Sequence, residues 1–391
     1  MGSEVSGNIW SQLLHKKSAV VGIVIIILSS LLSILAYIII PDKTNNANEQ
    51  ISEIALQSPM YRTVLLKIKR NLAYEEQGWI EKITNGLCAR YDYIPIDSFS
   101  TTVNELVITT KSGKRQYHKL WNILHAVDTI VDTEGDSYTI IDYVAGRVTM
   151  NKEEAVNKIR RENIVSRRFY FGTDRYGRDI LSRIILGLRV SLIVGLLGVI
   201  ISLTVGLFLG LVSGYSRGII DDIVMWLINT VWSIPTVLLV FAIVIALGRS
   251  INVIFLAVGL TLWVDVARIV RGQVLELREE QFLVAAKSLG YKPLRIMFVH
   301  ILPNLVGPLL VICASNFAIA ILLEAGLSYL GFGVQAPTPS LGNMLNENYA
   351  FALGGKVFIA IIPAIVIMLL VLSFNLAGNG LRDVYDVKSK T

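Results

Sequence analysis

Long apolar runs alternate with polar stretches along the chain, and the runs are long enough to cross a bilayer. The first, Ala19 to Ile40, holds no charge; Lys16 and Lys17 precede it and Pro41-Asp42 closes it. A signal-peptide core spans only about 7–15 residues and ends in a small-residue cleavage site, so this run is read as an uncleaved anchor. Five more runs follow, at Ile184 to Val212, Met225 to Leu247, Ile251 to Ile269, Leu305 to Leu323 and Val357 to Leu376. Six transmembrane helices are therefore expected. Gly206 and Gly210 in the second span, with Gly214 just beyond it, stand four apart and leave one helix face bare for close approach by another helix. Pro235, Pro308 and Pro363 lie within spans and predict kinks, which serve either packing or gating.

The polar stretch between the first two spans reads as a small α+β domain. Asn48 to Asn71 carries apolar residues at helical spacing (Ile51, Ile54, Ala55, Tyr61, Val64, Leu65, Ile68) and predicts a helix. Arg90 to Ile96, Thr102 to Thr109 and Tyr138 to Val144 read as strands, with turns at Gly113 and at Glu134-Gly135-Asp136. Asn151 to Glu162 reads as a helix capped by Asn151 with Glu154 three residues on. Three regions result: residues 1–41 with the first helix, an inserted domain at 42–170, and a five-helix core at 171–391.

Loop charges set the orientation. The segment after the fourth span carries Arg271, Arg278, Lys287, Lys292 and Arg295, whereas Ala325 to Gly355 carries no Lys or Arg. Lys16, Lys17, Arg382, Lys388 and Lys390 at the chain ends agree. Both termini and the 270–304 segment are expected in the cytoplasm and the 42–183 region outside. Of the 391 residues 53% are hydrophobic and 17% charged, which a soluble chain of this length would not show. The formal net charge of +6 fits loops that meet anionic lipid; nucleic-acid binding is not expected, because no basic patch is interleaved with aromatics. Cys88 and Cys313 fall in different phases, which argues against a disulfide, and no Cys/His group has metal-ligand spacing. No nucleophile–base pair and no Gly-x-x-x-x-Gly-Lys-Ser/Thr loop occurs, so the chain is not expected to be an enzyme or to hold ATP.

Residues 276–303 carry the most specific pattern. Leu275 to Leu289 predicts an amphipathic helix with Phe282, Ala285, Ala286 and Leu289 on one side, and Gly290 stands where such a helix ends. Lys292-Pro293 opens a second short helix running to Pro303. The residues alone leave open whether this element is a docking knob or a packed loop. Ala285-Ala286, Gly290 and Leu302-Pro303 stand at the spacing of the EAA loop, so the segment resembles that of ABC-type importer permeases. Val284 stands where that pattern has Glu and His300 where it has Ile. His300 to Asn304, the stretch Gly172 to Asp179, Ser233-Ile234-Pro235, and Glu324 to Gly333 resemble the C-type permease of the oligopeptide/dipeptide/nickel branch.

The resemblance implies an all-α polytopic protein of the type I ABC importer permease fold, multi-pass in a bacterial inner membrane, with the α+β insert between helices one and two as an addition. It implies a permease subunit forming half of a path for di- or oligopeptides. Its partners would be a second permease, two ATPase subunits holding ATP and Mg, and an external binding protein. Val284, Ala285, Ala286, Gly290, Leu302 and Pro303 would then lie at the ATPase-coupling interface. In the external motif of Thr173, Asp174, Gly177, Arg178 and Asp179 before the second span, Asp174, Arg175, Arg178 and Asp179 are candidates for a local ion network bracing the outer mouth, and Gly172 and Gly177 would permit tight turns; a solvated turn or substrate contact are the alternatives. Glu324 and Pro235 are candidates for lining the path; for Glu324, and likewise Asp265, snorkelling to the interface is the competing reading. Alternatives for the whole chain are import of nickel or another solute, a secondary transporter, and a membrane-anchored scaffold working through its insert.

Overall fold

In the computed structural model, residues 9–74, 77–102 and 104–388 are described; Lys390, counted in the charge pattern, and Val103, in the second expected strand, lie outside them. The chain divides into two compact units, one of residues 1–34, 187–347 and 363–391, the other of 35–186 and 348–362.

The first unit is helical. Its helices are α1 (Lys17–Ile34), α2 (Ile180–Ser216), α3 (Ile219–Trp232), α4 (Thr236–Leu247), α5 (Ile251–Leu277), α6 (Gln281–Ser288), α7 (Leu302–Tyr329), α8 (Leu341–Leu353) and α9 (Phe358–Lys388), of which α2, α8 and α9 each have one end in the second unit. Among the described residues, five helices are long and apolar enough to cross a membrane, and six spans result if α3 and α4 count as one. Those two are not the continuous third span expected at Met225 to Leu247: they meet at 90°. The break falls at Ser233-Ile234-Pro235, where Pro235 has no N–H to donate and its ring displaces the preceding turn. Pro308 and Pro363, by contrast, lie inside α7 and α9. The expected loop at Ala325 to Gly355 contains a helix, α8, that its sparse apolar pattern did not announce.

The glycine stripe of α2 does what its spacing predicts. A Cβ on Gly206 would stand 2.6 Å from the Trp263 carbonyl, on Gly210 2.7 Å from that of Ala267, and on Gly214 3.0 Å from that of Arg271. Successive turns of α2 thus ride on the backbone of α5. Gly210→Leu is expected to destabilise the purified chain by about 3 kcal/mol through overpacking. Gly272→Leu, with nothing within 4 Å of its Cβ position, should leave the melting temperature unchanged; equal effects would contradict this packing. Gly22 of α1 lies against Ser373 of α9, and Phe317 of α7 stacks on Phe374 of α9 at 4.0 Å.

The second unit carries two antiparallel sheets. One has the order β4-β3-β2-β1-β8 and the other β5-β6-β7. The strands are β1 (Tyr61–Lys69), β2 (Tyr91–Thr101), β3 (Glu105–Thr110), β4 (Arg115–Lys119), β5 (Val127–Asp132), β6 (Ser137–Asp142), β7 (Gly146–Asn151) and β8 (Ile164–Phe169). The predicted helix at Asn48 to Asn71 is overturned: its second half is β1, the strand between β2 and β8. Burial of Thr63 and Leu65 with exposure of Arg62 and Val64 follows a period of two. The turns at Gly113 and Gly135 have positive φ, as tight turns at glycine require. Asn151 caps the helix Lys152–Lys158, accepting from the Glu153 amide at 2.8 Å. A core of Leu66, Leu106, Ile108, Leu120, Trp121 and Tyr138 lies between sheet and helices.

Candidate functional site

The segment that joins α5 to α7 is built from short pieces. The expected helix at Leu275 to Leu289 is two: α5 runs to Leu277, and α6 starts afresh at Gln281. Arg278 anchors the break by donating to the Tyr215 carbonyl at 2.5 Å, and Arg271 forms a two-pronged pair with Asp221 at 2.6 and 2.7 Å. Helix α6 ends in a Schellman motif. The Tyr291 amide donates to the Ala286 carbonyl at 3.2 Å and the Gly290 amide to that of Lys287 at 2.9 Å. Gly290 has φ +75°, and a Cβ there would meet nothing within 4 Å. Its glycine is required by backbone conformation alone.

The anticipated apolar face of α6 is corrected by its packing. Leu283 points inward with Ile296, Met297 and Ile301, against Val270, Val274 and Leu305 of the long helices, and Ala286 is buried on the same side of α6. Phe282, Val284, Ala285 and Leu289 point outward. The two alanines therefore divide, Ala286 buried on the inner side and Ala285 exposed on the outer face. A helix of the π type over Ile296–Ile301 leads into α7, where Leu302 packs partly on the same core and Pro303 occupies the first turn, which needs no N–H from it. His300 stacks on Tyr291 at 5.7 Å. Leu289, Leu294, Phe298 and Val299 are each more than half exposed, an apolar surface with basic neighbours in Lys287, Lys292 and Arg295.

The Thr173 to Asp179 stretch is neither a solvated turn nor the four-member ion network expected. In the second unit Thr173, Asp174, Arg178, Asp179 and Arg183 are all at most 3% exposed. Asp174 accepts from the amides of Tyr176 and Arg178 and from Arg178 Nε at 2.6 Å, with Arg183 Nε at 3.8 Å. Asp179 instead caps α2, accepting from the Ser182 amide at 2.9 Å and its hydroxyl at 2.5 Å. Arg175 leaves the group and stacks on Tyr176. Thr173 Oγ1 donates to the Ile54 carbonyl at 2.5 Å and accepts from the Gln57 amide at 2.9 Å. Gly177, at φ +74°, lies so close to residue 51 that a Cβ would stand 1.9 Å from the Ile51 carbonyl. The motif is a brace, and residues 51–57 are what it holds.

Beside it lie Asp42, Glu49 and Arg167. Glu49 pairs with Arg167, yet burial outweighs that cation and pushes its carboxyl up to about 7, with the Asp42 carboxylate adding to the rise. Burial also raises Asp179. Asp142 behaves oppositely: hydrogen bonds from the Val144, Ala145 and Ala126 amides and from Lys69 overcome its burial and hold it at about 2. A raised acid stabilises the fold below its unfolded value and loses that contribution as pH climbs through the folded one. Glu49 should therefore weaken this unit by up to about 3 kcal/mol between pH 4.5 and 7, while Asp142 withdraws support only as pH falls below about 4. Hydrogen exchange of the β1–β8 amides, corrected for intrinsic rate, should slow from pH 7 to pH 5, and Glu49→Gln should flatten that slope. An unchanged slope in the variant would contradict the assignment.

Glu324, a candidate for lining the path, is wholly buried. Ser191 of α2 donates to Oε2 and Ser328 to Oε1, both at 2.8 Å. Ser328 Oγ also accepts the Val334 amide at 3.3 Å, and a Cβ on Gly333 would sit 1.8 Å from that hydroxyl. A second Schellman motif at Gly331 (φ +81°) turns the chain back, with the Phe332 amide donating to the Leu327 carbonyl at 2.8 Å. The Glu324 to Gly333 stretch is thus a lock between α2 and the turn after α7, and not a water-facing group. Pro235 is exposed, between exposed Ile234 and Val237 at the α3–α4 corner.

A broken helix pair, long spans and a clamped segment between α5 and α7 define a polytopic membrane protein. The family described as binding-protein-dependent transport system inner membrane component matches residues 202–386, and the N-terminal TM domain of oligopeptide transport permease C matches 6–59. The dipeptide transport system permease protein DppC of Alkalihalophilus pseudofirmus is 39% identical over 69% of this chain and 88% of its own length. The oligopeptide transport system permease protein OppC of Bacillus subtilis is 37% identical over 59% of this chain and 76% of its own. Among solved structures, a chain of the inward-facing MetNI methionine ABC transporter aligns over 53% of this chain at 20% identity and a TM-score of 0.41. The chain belongs to the family of binding-protein-dependent transport system inner membrane components.

Proposed function

We propose that this chain is the C-type permease subunit of an ATP-driven peptide importer. It forms half of the path and works with a second permease, two ATPase subunits that hold ATP and Mg, and an external binding protein. Support for peptides as cargo comes from dipeptide and oligopeptide permeases more than 35% identical to the chain. The observation that carries the coupling role is the segment from α6 to Ile301. Its inner face is fixed to α5 and α7, its outer face is apolar and exposed, and loop charges put it in the cytoplasm. Force applied to Val284, Ala285 and Leu289 would reach both long helices through Leu283, Ala286 and Ile296. Gly290 holds the turn, and Leu302 and Pro303 carry it into α7. Hydrolysis of ATP is assigned to the partners.

The test is purification of the tagged chain from its native membrane followed by reconstitution. An ATPase should accompany it, and dipeptide uptake should stop when ATP hydrolysis is blocked while a proton gradient persists. Uptake that follows the gradient, or uptake by the chain alone, would contradict this reading.

A further inference from the structure

Within the helical unit, α5, α7 and α9 line an open cavity of about 560 Å³ whose wall includes Asp265, Ser315, Asn316, Arg382 and Tyr385. That volume lies within the roughly 300–1,000 Å³ of small-molecule sites. Asp265 stands twelve residues before the end of α5 at Leu277, and Asn316 fourteen after the start of α7 at Leu302. At 1.5 Å per residue these are about 18 and 21 Å along their helices, so the two residues stand at similar heights in α5 and α7, well inside helices long enough to cross a membrane.

Two features of this wall are unusual. Asp265 has no hydrogen-bond or ion-pair partner among the described residues. The cation one turn away, Arg268, lays its guanidinium over the Trp232 ring at 3.9 Å. Asn316 is 2% exposed, and its side-chain nitrogen has no acceptor. An acceptor and a buried donor left open on one cavity wall carry a desolvation cost unless something fills them. A carboxylate takes an ammonium, and an amide N–H takes a carbonyl. One small molecule offers both within a few bonds: the amino-terminal end of a peptide.

Resting on the reading of the chain as a peptide permease, we infer that this cavity is a subsite for the amino terminus of the transported peptide, with Asp265 receiving the α-ammonium and Asn316 donating to the first peptide carbonyl. The site discriminates free from blocked amino termini, because an N-acetylated peptide offers Asp265 no ammonium to pair with.

The assembled transporter, without its binding protein, tests this. Ser315→Cys, in a chain carrying Cys88→Ser and Cys313→Ser, places a maleimide-reactive thiol on the cavity wall outside the proposed contacts. Millimolar dialanine should slow labelling about tenfold, which corresponds to about 1.4 kcal/mol. N-acetyl-dialanine should not slow it, and Asp265→Asn should abolish protection while Asp265→Glu retains part of it. Equal protection by both peptides, protection by neither, or protection that survives Asp265→Asn would overturn the inference. Loss of the second permease chain from the Asp265→Asn complex would also overturn it, since Asp265 would then pair with that partner. ATP-driven dialanine uptake by the wild-type complex separates the two readings. Uptake without protection removes this subsite alone, and absence of uptake removes the peptide assignment beneath it.

Discussion

Replacing Asp174 with alanine should cost roughly 3–5 kcal/mol, the range for removing one partner from a buried ion pair, and clear the full-length chain from the membrane fraction. Its carboxylate is 1% exposed and serves two amides and Arg178 Nε, with Arg183 at its edge. Alanine would take that carboxylate from two guanidinium groups that are themselves at most 3% exposed. Asp174→Asn keeps an oxygen for the Tyr176 and Arg178 amides and should cost less. Abundance in membranes and limited proteolysis of the 42–186 region would measure both. Near-wild-type abundance of Asp174→Ala would show that the motif is not a brace.

A charge placed on the outer face of the α6 segment should do the reverse, sparing the fold and ending function. Leu289 is 71% and Phe298 56% exposed, so Leu289→Asp with Phe298→Asp should leave the melting temperature within about 1 °C of wild type, as surface substitutions do. The ATPase should no longer co-purify, and uptake should fall at least about tenfold, as a loss of about 1.4 kcal/mol or more at the interface requires. Gly290→Leu acts through the backbone. No atom opposes the new side chain, but φ +75° costs a non-glycine residue about 1–2 kcal/mol. The turn should relax and uncouple hydrolysis from transport in a chain that still folds. Unchanged uptake in both variants would remove coupling from this surface.

The spans were legible because their signal is local: an apolar run needs no partner to be recognised. The glycine stripe of α2 was legible for the same reason, its spacing naming the bare face if not the helix that fills it. What failed depended on contacts far along the chain. Val64, Leu65 and Ile68 match a helical period as well as a strand, and pairing with β2 and β8 decides between them. Pro235 announced a kink, but a proline cannot state whether a span bends slightly or turns by 90°. Glu324 read as an exposed ionisable group because Ser191, the hydroxyl that holds one of its oxygens, lies 133 residues earlier. The split of Ala285 from Ala286 follows from α6 starting afresh at Gln281, which turns Leu283 and Ala286 inward. At the candidate coupling site Gly290's role as a helix stop was legible; which side of α6 faced outward was settled by Leu283, which no motif singled out.

Cysteine labelling tests the central claim most directly. A chain with Leu289→Cys, Cys88→Ser and Cys313→Ser should react with a membrane-impermeant maleimide in inside-out vesicles stripped of ATPase. It should be protected when the ATPase is restored and remain unreactive in intact cells. Labelling from the outer face, or labelling that the ATPase does not slow, would contradict a cytoplasmic coupling surface.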